Sequence, residues 1–217
     1  MKILALEFSS ARRSVAVASP ATSMSEVVES GPGAMRPLVM VNGVLREARV
    51  ERGEIECLAI GIGPGSYTGI RAAIALAQGW QLARGTRLLG ISSAECLARQ
   101  AHSLGLAGRV NVVIDAQRDE VYLGAYDLDA AGCHEAEPLR LTTVAEARER
   151  EQAGEVLVGP EAARWFPTAR VLFPSAATLA QLAAGRDDFV AGEEIRPIYL
   201  RETNFVKAPP PRNRVAG

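Results

Sequence analysis

The order of elements predicted along this 217-residue chain favours an α/β fold built from two similar lobes. Three strands followed by alternating strands and helices are predicted before residue 105, and the same order is predicted again after it. Each half opens with a buried strand that ends in an acid, Glu7 in the first half and Asp115 in the second, 108 residues apart. A matching acid at the same point of both halves favours an internal duplication. We therefore expect a first lobe over residues 1–105, a second over residues 106–206 and a flexible, proline-rich tail over residues 207–217.

The composition is that of an ordinary globular protein, with 48% hydrophobic and 23% charged residues and a formal net charge of −1. A module that binds nucleic acid unaided normally carries a basic surplus, so this class of protein is disfavoured. The three cysteines form no CxxC pair, which favours reduced thiols in the cytosol over a disulfide or a zinc site. Glu7 interrupts the first apolar run before a signal sequence could form, and no apolar segment is long enough to span a membrane. We expect a cytoplasmic protein without membrane contact.

The first half begins with a predicted β-hairpin over "KILALEFSSARRSVAVA", in which a buried strand, a polar turn and an alternating strand follow one another. A third strand is predicted over Met24–Ser30. A first helix is predicted from Pro37, because Leu38, Val41 and Leu45 recur at helical spacing. The strand "CLAIGI", a glycine-rich loop, a second helix, the strand "RLLGI" and a third helix that starts at two serines complete this half.

The pattern restarts at Arg109, where "RVNVVIDAQRDEVYLGAYD" again predicts a buried strand, a polar turn and an alternating strand. A further strand around "HEAEPLRL", the charged helix "TTVAEAREREQ" and the strands "EVLVG" and "ARVLFP" come next. The helix "SAATLAQLAAG" is the last regular element predicted before the tail. This order matches that of the first half and supports the prediction of two lobes.

The loop "GIGPGSYTGIR", residues 61–71, is the most distinctive segment of the chain. It lacks the lysine of a Walker A motif, and Ser66 stands where the dinucleotide fingerprint needs its third glycine. Two interpretations remain open. Either the loop is a tight strand-to-helix turn whose glycines adopt positive φ, or the N–H groups at the start of the helix bind an anion.

The helix after this loop carries no charged side chain over residues 72–83. A helix without a polar face is normally covered on both sides, and the sheet covers only one of them. Gly69, Ala72, Ala73 and Leu76 form a stripe that continues to Trp80, and its small residues predict the close approach of another helix. That helix belongs either to a partner protein or to the chain itself, where the apolar helix over residues 37–48 is available.

The acids at the ends of the two opening strands are the main candidates for chemistry. Glu7, with Ser9 and Ser10 behind it, and Asp115 stand where actin-like ATPases place metal and phosphate between their lobes. The first loop, however, lacks the glycine that lets a backbone wrap phosphates closely. The two histidines have no metal-ligand spacing, and Ser66 does not lie in a nucleophile elbow. These four residues are therefore candidates for a degenerate cofactor cleft, with the ligand left open.

Several segments together resemble the TsaB (YeaZ) family. They are "GIGPGSYTGIRAAIALAQGWQLA", "LLGISSAECLA", "VVIDAQRDEVYLGAYD" and "RPIYLRE", which follow the family's order and cover most of the chain. The resemblance implies an actin-like, hexokinase-like (ASKHA) fold, in which a ribonuclease-H-like unit is duplicated to give two lobes. Members of this family are non-catalytic subunits of the machinery that makes N6-threonylcarbamoyladenosine at adenosine 37 of tRNAs reading ANN codons.

The resemblance also implies partners. In relatives this subunit pairs with the metal-bearing transferase TsaD, the ATPase TsaE joins the pair, and the isolated subunit is expected to form a homodimer. We expect tRNA to be bound only through the complex, ATP and magnesium to be used by the complex, and no cofactor or metal to be held tightly by this chain alone. Relatives use the two helices of the first lobe as the dimer face, and by position the partner-binding residues here are Leu38, Val41, Leu45, Gly69, Arg71, Ala72, Ala73, Leu76 and Trp80.

Other functions compete with this expectation. The first strand of the family usually ends in Asp-Thr-Ser, whereas this chain has Glu-Phe-Ser at residues 7–9, which weakens the case for a metal-bound nucleotide. The alternative is a self-sufficient, actin-fold ATP-dependent transferase or a glycoprotease-like peptidase that uses the two strand-end acids. A further alternative is direct tRNA contact through Arg12, Arg13, Arg212 or Arg214, which would make binding by the isolated chain salt-dependent.

Overall fold

The computed structural model describes residues 1–20, 22–31 and 36–201. Within these ranges the chain forms two five-stranded sheets, five α-helices and two single-turn 3₁₀ helices at Arg52–Glu54 and Ala162–Arg164. The predicted tail over residues 207–217 lies outside the described residues.

The first sheet combines an antiparallel meander with two parallel strands. Its strands are β1 (Ile3–Glu7), β2 (Arg12–Ser19), β3 (Thr22–Ser30), β4 (Cys57–Gly61) and β5 (Arg87–Ile91), in the order β3-β2-β1-β4-β5. The neighbours β1, β2 and β3 are antiparallel, which confirms the predicted hairpin and third strand. In contrast, β4 pairs in parallel with β1, and β5 pairs in parallel with β4.

The second sheet repeats this arrangement. Its strands are β6 (Gly108–Asp115), β7 (Glu120–Asp129), β8 (Gly132–Thr143), β9 (Val156–Gly159) and β10 (Arg170–Val171). Read from its antiparallel edge, the order is β8-β7-β6-β9-β10, which corresponds strand for strand to the first sheet. The predicted duplicated, actin-like α/β fold is therefore confirmed.

The helices begin at capping side chains or, in the case of α1, at a proline. They are α1 (Pro37–Ala48), α2 (Tyr67–Arg84), α3 (Ser93–Ser103), α4 (Val144–Gln152) and α5 (Ala176–Ala183). The side-chain oxygens of Ser66, Ser92, Thr143 and Ser175 accept hydrogen bonds from backbone N–H groups in the first turns of α2, α3, α4 and α5, respectively. Within the described part of the chain, no helix is both long and apolar enough to cross a membrane.

Side chains of the first sheet alternate between two apolar layers, as the two-residue period of a strand requires. From β1, Leu4 and Leu6 join the layer beneath α1 and α2, whereas Ile3 and Ala5 join the layer beneath α5. The layer beneath α5 is rich in alanine on both the sheet and the helix, which allows the two backbones to approach closely. Its alanines include Ala5, Ala16, Ala59, Ala176, Ala180 and Ala183.

Two helices pack on the sheet that is formed by the other half of the chain. Helix α3 belongs to the first half of the chain, but its Leu97 and Ala101 pack with Val110 and Tyr126 of the second sheet. Helix α5 belongs to the second half, but Leu179 packs within the layer on the first sheet. The two halves thus exchange helices, an arrangement that the chain order alone does not show. The predicted lobe boundaries at residues 105 and 206 remain a prediction.

Candidate partner-binding surface and inter-lobe cleft

The glycine-rich loop packs directly against the backbone of the turn that follows β1. At Gly65, a Cβ atom would lie 2.2 Å from the carbonyl oxygen of Ser9, and φ is +144°, a region that favours glycine. The amide of Ser66 donates to the same carbonyl oxygen at 2.7 Å. Ser66 then caps α2 by accepting a hydrogen bond from the Gly69 amide at 3.3 Å. The turn interpretation of the loop is confirmed, because its glycine allows contact between two backbone segments.

Gly69 serves the same internal contact. It is buried, and a Cβ atom at this position would lie only 1.9 Å from the carbonyl oxygen of Phe8. The prediction that Gly69 contributes to a smooth outward surface is therefore wrong. This glycine compensates for its low helix propensity by letting the first turn of α2 lie directly on the turn after β1.

Glu7 is a buried structural group and does not line the cleft. Its carboxylate accepts hydrogen bonds from the Ser9 amide at 2.7 Å and the Ser93 hydroxyl at 3.1 Å, and its side chain is fully buried. Burial raises the pKa of Glu7, while these hydrogen bonds act in the opposite direction. Gly61 leaves room for the carboxylate, since a Cβ atom there would lie 2.1 Å from Oε2. The placement of Glu7 among the cleft candidates is corrected, because its carboxylate lies beneath the β1–β2 turn.

The other three cleft candidates do come together. Ser9, Ser10 and Asp115 line an open cleft of about 760 Å³ whose walls come from both halves of the chain. The Asp115 side chain is 12% exposed, and its carboxylate accepts a hydrogen bond from the Gln117 amide at 2.7 Å. The cleft therefore contains the predicted hydroxyl groups and one of the two predicted acids.

A second acid in the cleft escaped the sequence analysis. Glu161 follows β9 as Asp115 ends β6, and both residues line the cleft. Burial, followed by the charge of Asp115, raises the pKa of Glu161. Because β6 and β9 are parallel neighbours, the strand-end argument applied to Asp115 would also have found Glu161. In the described ranges, no cluster of three or more His, Cys, Asp and Glu residues could hold a metal ion.

The segment before residue 202 forms one side of the cleft. Tyr199 stacks on Tyr67 of α2 with ring centroids 5.7 Å apart, and the Arg71 guanidinium lies 5.0 Å from the centroid of the Tyr67 ring. Arg201 pairs with Glu120 at 2.6 Å across the cleft. These residues lie in or beside motifs that carried the resemblance, but the sequence alone gave no indication that they would meet.

The nine predicted partner-binding residues divide by exposure. Val41, Leu45, Gly69 and Ala73 are buried in the chain's own core, so their prediction as contact residues is corrected. They hold α1 and α2 on the first sheet, where each helix must bury one face. Leu38 and Arg71 are exposed, and Ala72, Leu76 and Trp80 are half-buried. These five remain predicted partner contacts.

Part of the outward side of the two helices is apolar, and on α2 this part is built largely from small residues. On α2 the residues Ala72, Ala75, Gly79 and Leu82 follow at helical spacing, and Leu82 is 91% exposed. On α1 the consecutive side chains Leu38 and Val39 are 59% and 55% exposed. We call these six residues the apolar helix face. The sequence predicted the stripe on α2, but its register was shifted toward the buried side.

The repeated sheets and the cleft between them place this chain in the class of duplicated, actin-like α/β proteins. A family model described as "TsaD: tRNA N6-adenosine threonylcarbamoyltransferase" matches residues 35–187. A curated relative, the tRNA threonylcarbamoyladenosine biosynthesis protein TsaB of Escherichia coli, is 31% identical over 93% of this chain and 95% of its own length. The Bacillus subtilis protein of the same name is 27% identical over 58% of this chain and 55% of its own length. The chain belongs to the TsaB family.

Solved structures agree with this assignment. YeaZ from Pseudomonas aeruginosa is 31% identical, has a TM-score of 0.77, and covers 92% of this chain and 99% of its own. A second Pseudomonas aeruginosa structure, described as an uncharacterized protein with similarity to peptidase YeaZ, has a TM-score of 0.79 at the same identity and coverage.

Proposed function

We propose that this chain is a non-catalytic scaffold subunit in N6-threonylcarbamoyladenosine modification of tRNA. In this role it binds a TsaD-like transferase and supports transfer chemistry that takes place on that partner. The observation that carries the proposal is the apolar helix face, which contains no charged side chain and is exposed at every position except the half-buried Ala72. The names of the curated relatives, which refer to tRNA threonylcarbamoyladenosine biosynthesis, support the choice of pathway.

The face has the shape and chemistry of a helix-docking surface. Ala72, Ala75 and Gly79 leave a shallow groove along α2 into which the side chains of another helix can pack closely. Burying one exposed leucine such as Leu82 contributes roughly 1.5–3 kcal/mol. Leu38 and Val39 extend the apolar area onto α1, so one partner can cover both helices.

The remaining components of the proposal follow because the transfer chemistry takes place on the partner and not on this chain. A TsaE-like ATPase joins the pair, the assembled complex uses ATP and magnesium, and this chain holds no cofactor tightly by itself. Without its partner, the chain covers the same apolar face by pairing with a second copy, which makes the homodimer and the transferase complex mutually exclusive. The chain acts in the cytoplasm, where its tRNA substrates are modified.

Gly79→Arg tests the proposed partner surface. A Cβ atom at Gly79 would meet no atom within 4 Å, so the variant should fold normally and place a long charged side chain on the apolar helix face. We expect it to lose co-elution with the TsaD-like protein. Gly185→Arg is the matched control, because Gly185 is equally open and lies after α5, away from this face. A Gly79→Arg chain that still co-elutes as the wild type does would overturn the proposal.

The cleft supports one alternative function of the chain. Its volume and its two acids, Asp115 and Glu161, would suit a chain that binds ATP and acts alone as a transferase or a glycoprotease-like peptidase. Calorimetric titration of the purified chain with Mg-ATP separates the two functions. Saturable heat that disappears in Asp115→Asn would favour the alternative, whereas the scaffold proposal predicts no such heat.

A further inference from the structure

Four arginines surround a second cavity at the carboxyl ends of α1 and α2. The cavity has a volume of about 480 Å³ and is separate from the cleft between the sheets. Arg46 and Arg49 come from the end of α1, Arg52 from the 3₁₀ turn that follows, and Arg84 is the last residue of α2. We call this cavity the arginine pocket.

None of these arginines forms an ion pair within the described parts of the chain. No carboxylate there lies within 4.0 Å of any of the four guanidinium groups. One acid, Glu51, lines the pocket, and its carboxylate already accepts a hydrogen bond from the Glu54 amide as the cap of the 3₁₀ turn. Arg52 also hydrogen-bonds to Asn42. The pocket is therefore a local basic site on a chain whose net charge is −1.

The helix ends explain only part of this concentration of charge. Cations are favourable near the carboxyl end of a helix, which carries about half a negative charge. Two such ends and the single carboxylate offset about two of the four positive charges. Roughly two positive charges remain to attract an anionic ligand.

The lining selects the chemical class of this ligand. It contains no aromatic side chain on which a base could stack, so recognition rests on charge and guanidinium hydrogen bonds. Guanidinium groups match phosphate oxygens with paired N–H donors. Gly53 leaves room for this arrangement, because a Cβ atom there would lie 3.2 Å from Nη1 of Arg84.

We propose that the arginine pocket binds phosphate groups of an RNA backbone. The pocket is open to solvent, and the choice of RNA as the ligand rests on the proposed function in tRNA modification. Such a contact would not depend on the base sequence and would act alongside the apolar helix face, since it uses the ends of the same two helices. It differs from the tRNA contacts considered from the sequence, which involved other arginines, and it departs from the expectation that tRNA is bound only through the complex.

The double variant Arg46→Gln/Arg84→Gln tests the proposal by fluorescence anisotropy with an unmodified, labelled tRNA transcript. We expect the wild-type chain to bind at about 50 mM salt with an affinity that falls steeply as salt increases. The double variant should bind at least about tenfold more weakly than the wild type. The slope of log affinity against log salt should become shallower by about 1.5, because two phosphate contacts are removed. Arg170→Gln/Arg196→Gln removes the same charge from exposed positions elsewhere and should behave as the wild type.

Tripolyphosphate and ATP as unlabelled competitors distinguish the source of the phosphate. A site for an RNA backbone is supported if, at equal phosphate concentration, longer RNA displaces the labelled tRNA and neither small competitor does. Pocket-dependent binding of ATP without binding of tRNA would assign the site to a small phosphorylated ligand and overturn the proposal. Equal loss in the two double variants, or no tRNA binding by the wild-type chain, would overturn it as well. So would a double variant that binds tRNA normally but fails to co-elute with the TsaD-like protein, because the pocket would then receive acidic protein side chains.

Discussion

Replacing Gly69 with alanine tests how α2 is held on the first sheet. In the wild type, the Cα of Gly69 faces the carbonyl group of Phe8, and an added Cβ atom would lie 1.9 Å from its oxygen and 3.0 Å from its carbon. Both neighbours are backbone atoms, so no side-chain rotation relieves the overlap. The start of α2 and the turn after β1 would have to separate by roughly 1 Å.

Two opposing effects set the size of the change in stability. Alanine is favoured over glycine within a helix by about 1 kcal/mol, whereas forcing an extra carbon into a packed interior typically costs about 1–3 kcal/mol. Because the overlap at Gly69 is with backbone, we expect the cost to exceed the gain and the free energy of unfolding to fall by about 1–2 kcal/mol. Urea unfolding followed by circular dichroism measures this difference.

Gly79 provides the matched control within the same helix. A Cβ atom there meets nothing within 4 Å, so Gly79→Ala should raise the free energy of unfolding by up to about 1 kcal/mol. The two substitutions are chemically identical and should have opposite signs. The reasoning fails if Gly69→Ala is as stable as Gly79→Ala, because the close approach to Phe8 would then have no energetic consequence.

Two further predictions concern buried charge and the contact across the cleft. Burial raises the pKa of Glu7 above its ordinary value of 4.5, so folding favours the protonated carboxyl, and the stability it contributes is lost as pH rises through the raised pKa. The free energy of unfolding of the wild type should fall relative to that of Glu7→Gln as pH rises above about 4.5, and a difference independent of pH would contradict this assignment. Arg201→Gln removes the pair with Glu120, whose side chains are each 32% exposed, and a hydrogen bond to the turn after β6. We expect a loss of about 1 kcal/mol in urea unfolding, with Arg170→Gln as a control because Arg170 has no ion pair among the described residues, and equal stability of the two variants would refute a contribution from this contact.

The local elements of this fold could be predicted because each carries its own pattern. The alternation in the β1–β2 hairpin, the helical spacing of Leu38, Val41 and Leu45, and the serine cap of α3 are all confirmed. The exchange of α3 and α5 between the sheets could not be predicted, because both are short, alanine-rich helices that could pack on either sheet. Only the tertiary contacts decide between them.

The candidate site was predicted less completely for a similar reason. The uncharged character of α2 indicated a covered face, but the register of that face depends on which side meets the sheet. The predicted stripe included Gly69 and Ala73, which are buried, whereas the exposed stripe includes Ala75 and Gly79. The predicted and the observed stripes therefore differ by one or two residues along the helix. The arginine pocket combines residues of α1 with Arg84, which are distant in sequence, so no local motif could have shown it.

Hydrogen exchange on the complex tests the central claim most directly. The chain would be compared by mass spectrometry alone, as a homodimer and with the TsaD-like protein bound, following peptides that cover α1, α2 and α4. The proposal predicts that, relative to the monomer at low concentration, α1 and α2 gain protection with the partner bound and α4, a charged helix on the second sheet, gains none. Protection in α4 with no change in α1 and α2 would place the partner elsewhere and contradict the assignment of the apolar helix face.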